Sequence, residues 1–179
     1  QRQMCIRDSN NIGIWYWKDQ DYSKSIEYYQ KSIAIKQELG DVRNIGKTYN
    51  NLGKIYFSMG DFKNAVLQYD KSIETKKELG DNKGLHSSIF NKGQAYFYLD
   101  EFDKSIYEFR QSMELQNSDF HMNEKYRYIG MCHYYLGNYD SSTVYLSRSA
   151  QFFKEDSIKL LSIIPFQMLS DLKNENLSL

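Results

Sequence analysis

Asn10 to Asp41 reads NNIGIWYWKDQDYSKSIEYYQKSIAIKQELGD, and Asn50 to Asp81 reads NNLGKIYFSMGDFKNAVLQYDKSIETKKELGD. The two stretches agree at 14 of 32 positions without a gap, and self-similarity at a fixed period decides architecture before any local pattern does. The period is 40 residues. The same frame recurs as FNKGQAYFYLDEFDKSIYEFRQSMEL from Phe90 and as RYIGMCHYYLGNYDSSTVYLSRSA from Arg127, so marker glycines fall at Gly13, Gly53, Gly93 and Gly130. Their spacings of 40, 40 and 37 put one shortened connection at Asn117 to Phe120, where NSDF replaces ELGD.

Each unit reads as two helices. The first carries the marker glycine and stops at Gln20, Gly60, Asp100 or Gly137, positions that suit a left-handed C-terminal residue, Gly best and Gln least. An acidic or amide residue and an aromatic follow in Asp21-Tyr22, Asp61-Phe62 and Asn138-Tyr139, where the short polar side chain can cap a second helix. Glu101-Phe102 departs from this pattern. The second helices of the first two units run to Gly40 and Gly80.

Spacing also assigns the packing face. Ile12/Tyr16, Leu52/Tyr56, Lys92/Tyr96 and Ile129/His133 are four apart on the first helices and stack on one side; Lys92 is the misfit. Small residues recur on the second helices as Ser25/Ser32, Ala65/Ser72, Ser105/Ser112 and Ser142/Ser149, with Tyr29, Tyr69, Phe109 and Leu146 between them. Helix axes approach closely only where side chains are small, so these positions mark the helix crossings.

The composition agrees. One proline, Pro165, in 179 residues favours an all-helical chain. The 23 Lys+Arg balance 23 Asp+Glu, so no global field draws the chain to nucleic acid or anionic lipid. No run of eighteen apolar residues exists to span a membrane. Gln1 to Asp8, QRQMCIRD, back-translates into a sequence resembling a transposase adapter used for sequencing libraries, so residues 1–9 are read as a non-native scar and set aside. On that reading Cys5 is not native, which leaves Cys132 as a single thiol that makes neither a disulfide framework nor a zinc site. The native start is then missing, and the compartment stays unknown, the cytoplasm being preferred over the periplasm.

The combination of an apolar-Gly-x-x-Tyr first helix, a Gly-Asp-Tyr type turn and small-x-x-x-aromatic-x-x-small on the second helix resembles the tetratricopeptide repeat, over about Asn10 to Phe153. The 40-residue period, ending Glu-Leu-Gly-Asp, is similar to the longer variant found in polarity scaffolds and in bacterial sensor kinases and regulators. The resemblance implies an all-α fold, an α-solenoid of tandem antiparallel helix pairs. Its repeats are expected at about 10–41, 42–81, 83–118 and 120–155, with residues 156–179 a partial fifth repeat or capping helix broken or begun by Pro165.

Candidate chemistry is thin. Gly46-Lys47-Thr48 looks like the end of a phosphate loop, but Gly40 lies six residues before Gly46 instead of five and no strand precedes it. His86, His121 and His133 form no i, i+4 pair, and His133 takes the place of a packing tyrosine. Ser141-Ser142-Thr143 lies within a helix with no base beside it. Neither an enzyme nor a cofactor site is expected.

What remains is a second stripe on each first helix: Asn11, Asn51, Asn91 and Tyr128; Ile14, Lys54, Gln94 and Met131; Trp17, Phe57, Phe97 and Tyr134. In the family that stripe lines a concave groove for a peptide or helix of a partner protein. By resemblance, Asn51 and Asn91 bond a ligand backbone, Trp17, Phe57, Phe97 and Tyr134 are apolar anchors, and Asn10, Asn50, Phe90 and Arg127 line the rim. The same aromatic row also fits packing between neighbours, and residues alone leave groove and core open. The family's clamp for C-terminal carboxylates is disfavoured, because Ser87 and Asn91 stand where its third-helix bases would be. The functional expectation is a protein-binding scaffold; the alternative is the sensory or regulatory segment of a larger signalling protein, such as a histidine kinase or transcriptional regulator.

Overall fold

The computed structural model describes residues 2–115 and 122–152, and within them the side chains of 9–42, 44–82, 84–115 and 122–152. The shortened connection at 117–120 and the tail at 156–179 lie outside the described residues. Eight helices occur among the described residues: α1 (Arg2–Lys18), α2 (Tyr22–Glu38), α3 (Val42–Ser58), α4 (Phe62–Glu78), α5 (Asn82–Tyr98), α6 (Phe102–Leu115), α7 (Met122–Tyr135) and α8 (Tyr139–Gln151). The fold is all-α, a solenoid of tandem helix pairs, with helix starts at Tyr22, Phe62 and Phe102 keeping the 40-residue period. Helix α1 is continuous from Arg2, so residues 2–8 lie within it.

One turn design repeats. The backbone N–H groups of Asp21, Asp41, Asp61, Asp81, Glu101 and Asn138 donate to the carbonyls of Tyr16, Lys36, Tyr56, Lys76, Tyr96 and His133, five residues back, at 2.8–3.0 Å. Closing this six-residue ring needs a left-handed residue just before the donor. Gly40, Gly60, Gly80 and Gly137 supply it, and Gln20 (φ 62°) and Asp100 (φ 59°) adopt it as the sequence requires. Asp21 and Asp61 then cap the following helices, their carboxylates accepting from the N–H groups of Lys24 and Asn64 at 3.1 Å. Asn138, expected to do the same, makes no side-chain cap bond.

The chain divides into two compact units, Gln1–Ala95 and Tyr96–Leu179. In the first, Tyr29, Ile33, Leu52 and Ile55 form a core between α2 and α3, with Ile14, Trp17, Tyr49 and Tyr56 packed on it; Ile73, Leu85 and Ile89 join α4 to α5. The marker glycines are explained by this packing. A Cβ on Gly53 would stand 2.5 Å from the Tyr69 ring, and one on Gly13 would stand 3.0 Å from Tyr29, so the aromatic between the small residues packs directly against the glycine. Ser25 is buried at the same crossing and donates to the Gly13 carbonyl at 2.7 Å. Lys92, the misfit in the packing stripe, pairs with Asp70 at 2.8 Å. In the second unit Leu146 covers Gly130, Phe109 stacks on Tyr128, and His133 stacks on Tyr145 at 5.4 Å between helices.

Candidate functional site

Helices α3 and α5 carry the second stripe within the first unit, and its members divide by depth. Asn11 on α1 and Lys54 on α3 are exposed; Asn51, Phe57, Asn91 and Gln94 are half-buried. Asn51 hydrogen-bonds the hydroxyl of the buried Tyr29, whose pKa burial pushes up to about 12, so one end of this amide is already committed to the fold. Phe57 meets Phe62 edge-on at 5.2 Å. Trp17 is half-buried and belongs to the core between α2 and α3, so it packs more than it presents.

Two rim assignments are corrected. Asn50 is only 8% exposed and Phe90 is likewise buried. Asn50 Oδ1 accepts from Ser88 Oγ and from Asn91 Nδ2, both at 3.0 Å, which joins α3 to α5 and turns Asn50 inward. In the second unit Phe97 is 9% exposed, meeting Phe102, Tyr128 and Tyr135 at 5.3–6.0 Å, so its ring lies in the core and not on a free surface. Arg127 is half-buried with its guanidinium 5.2 Å from the Tyr128 ring, and Tyr134 is half-buried against Tyr135 and Tyr139.

Outside the stripe, three lysines among the described residues are buried. Lys36 is 1% exposed, Lys76 3% and Lys125 0%. Lys36 donates to Thr48 Oγ1; Lys76 donates to the Gly84 carbonyl at 2.9 Å and to Ser88 Oγ at 2.7 Å; Lys125 donates to the Ser112 carbonyl at 3.4 Å. Burial lowers all three pKa values, that of Lys76 to about 8 with Asp81 opposing and Lys54 and Lys47 adding to the effect. The overlooked signal was the recurrence of Lys36 and Lys76, each twelve residues before a hydroxyl at Thr48 and Ser88. This geometry also disposes of the apparent phosphate loop: Gly46 sits against Lys76 and Thr75, and Thr48 is buried inside α3.

Trp15 is a second surprise. It is 60% exposed, whereas its register equivalent Ile55 is 1% exposed and buried in the first unit's core. Among the described residues no group of three His, Cys, Asp or Glu side chains is placed to hold a metal ion, and no helix is long and apolar enough to cross a membrane.

Two family models, both described as tetratricopeptide repeat, match residues 6–78 and 86–119. No curated protein matches the chain. Among solved structures the chain is similar to the apo form of RapI, with a TM-score of 0.86 and 13% identity over 98% of this chain and 50% of that one. It is similar to a signal transduction ATPase with numerous domains and a tetratricopeptide repeat sensor from Pyrococcus horikoshii, with a TM-score of 0.85 and 15% identity over 95% of this chain and 27% of that one. It is also similar to aspartyl phosphate phosphatase F from Bacillus subtilis, with a TM-score of 0.81 and 15% identity over 95% and 46% of the two chains. At such identities the likeness is one of fold, and the chain spans half or less of each of these three proteins.

Proposed function

We infer that this chain, which belongs to the tetratricopeptide repeat family, is a protein–protein interaction scaffold that performs no catalysis itself and holds a peptide or helix of a partner on the outward stripe of its first helices. The observation that carries this reading is the state of that stripe in the first unit. Lys54 is exposed and Asn51, Phe57, Asn91 and Gln94 half-buried, a set of amides, an ammonium and one aromatic edge that suits the backbone and side chains of an extended segment. In the second unit Tyr134 holds the place of Phe57, and Arg127 lies beside it at the rim position.

A random dodecapeptide display library panned on the purified protein tests this. The parent enriches a shared motif, and Lys54→Glu with Asn91→Ala loses it while the circular dichroism melt is unchanged. Absence of any motif, or equal enrichment on the variant, overturns it.

A second reading is a sensory or regulatory array within a larger signalling protein. It is favoured by the chain covering only 27% of a signal transduction ATPase whose repeats are described as a sensor, and 50% of RapI. The flanking reading frame decides: a contiguous kinase, ATPase or DNA-binding domain supports it, and an immediate stop on both sides removes it.

A further inference from the structure

The chain as a whole is neutral, yet its charges are sorted. Helices α3 and α5 contain no Asp or Glu in their 17 residues each, while α3 carries Lys47 and Lys54 among its basic residues. The neighbouring second helices hold the acids: Glu27 and Glu38 on α2, Asp70, Glu74 and Glu78 on α4. Two lysines pair with these acids, Lys31 with Glu27 and Lys92 with Asp70, while the second helices also carry lysines of their own, Lys71 and Lys77 on α4 among them. Lys47 and Lys54 are exposed and in no ion pair among the described residues.

The acids that precede α3 and α5 each accept a hydrogen bond from the first turn of the helix that follows. Asp41 binds the Asn44 amide at 2.9 Å, and Asp81 accepts from the Gly84 N–H at 3.1 Å. Beneath the same face lies Lys76, close enough to feel both surface ammonium groups. Seven residues separate Lys47 from Lys54, two helical turns on one face, with Asn51 between them. Two cations in no ion pair and a carboxamide in line complement a segment bearing carboxylates at matching intervals.

We propose that the outward face of α3, through Lys47, Asn51 and Lys54 with Asn91 of α5 alongside, docks an acidic segment of a partner protein, reading side-chain carboxylates and not a chain terminus. This rests on the peptide-binding reading above and adds the chemistry of the peptide.

The test is fluorescence anisotropy on the full chain with a fluorescein-labelled, C-terminally amidated Glu-rich dodecapeptide and its Glu→Gln counterpart. The acidic peptide binds about tenfold or more tighter than the Gln peptide at low salt and weakens as salt rises. Lys47→Glu with Lys54→Glu removes that preference, whereas the charge-matched control Lys63→Glu with Lys77→Glu, exposed on α4, retains it. Equal binding of the Gln peptide, loss in the control as well, or a requirement for a free C-terminal carboxylate overturns the proposal. So does tighter binding of a single-stranded oligonucleotide. A neutral motif enriched on this face in the display experiment overturns the acidic preference and leaves the scaffold reading standing; no motif at all removes both.

Discussion

The ammonium of Lys76 lies 2.7 Å from the hydroxyl of Ser88, both groups buried where α4 meets α5. Lys36 and Thr48 repeat the relationship between α2 and α3. A buried ammonium bonded to neutral oxygens keeps a desolvation cost that the nearby Asp41 and Asp81 only partly offset, so the fold holds it at the expense of its charged form.

Stability therefore rises with pH above neutrality. The folded pKa of Lys76 is about 8 against 10.5 ordinarily, and those of Lys36 and Lys125 are also lowered. Below about pH 8 both states are protonated and the penalty is carried in full. Between about 8 and 10.5 the unfolded chain binds more protons, so unfolding becomes harder as pH rises. Lys76 alone accounts for roughly 3 kcal/mol over that span. Tyr29, raised to about 12, and Tyr69, raised further, act the other way above pH 10, because the folded state then keeps protons that the unfolded chain releases. Thermal melts from pH 7 to 11 should show a maximum near pH 9 to 10, and Lys76→Met should flatten the rise. A parent curve that falls from pH 8 onward would contradict the assignment.

Gly53→Ala should destabilise despite alanine's higher helix propensity. The added methyl would stand 2.5 Å from the Tyr69 ring, which is 1% exposed and cannot retreat; overpacking of this kind costs about 1–3 kcal/mol. Gly46→Ala meets Lys76 and Thr75 side chains only at 3.3–3.4 Å and should be far milder. Urea midpoints for the two variants measure the contrast.

Phe97 and Phe57 hold the same register and should respond differently to alanine. Phe97, 9% exposed within an aromatic cluster, should lose about 3–5 kcal/mol. Phe57 is half-buried and should lose about 1 kcal/mol. Equal losses in chemical denaturation would mean that both rings are core.

His133→Phe should stabilise the second unit. Both ring nitrogens are buried without a hydrogen-bond partner among the described residues, and burial together with Arg110 lowers the pKa. Phenylalanine keeps the stack on Tyr145 and removes two unsatisfied atoms, a gain of about 1 kcal/mol or more. A lower melting midpoint would mean that the imidazole has a polar role.

The repeat frame was legible because it rests on backbone needs. A left-handed residue must close each turn and a glycine must lie under each ring, and both requirements fix residue types at fixed offsets. The candidate stripe was legible only as a direction on a helix. Depth depends on what the neighbouring helix brings up, which is why Asn50 turned inward to Ser88 and Asn91 while Lys54, four residues later, stayed outside. Buried lysines escaped notice because a lysine at a helix end is ordinarily solvated; only its pairing with a hydroxyl on the next helix marks it as interior.

The third junction reverses the first two. There the ammonium belongs to the incoming helix, as Lys125, and a carbonyl on the outgoing one receives it, while Gln116 holds the sequence position of Lys36 and Lys76. Repeats that look interchangeable by alignment are thus keyed by which partner brings the cation. Duplication of one 40-residue unit within that stretch, such as Lys36 to Thr75, would keep each lysine opposite a hydroxyl twelve residues on. Deleting the third repeat would instead set Lys76 against Lys125, two cations in one dry joint, and selection would remove the product.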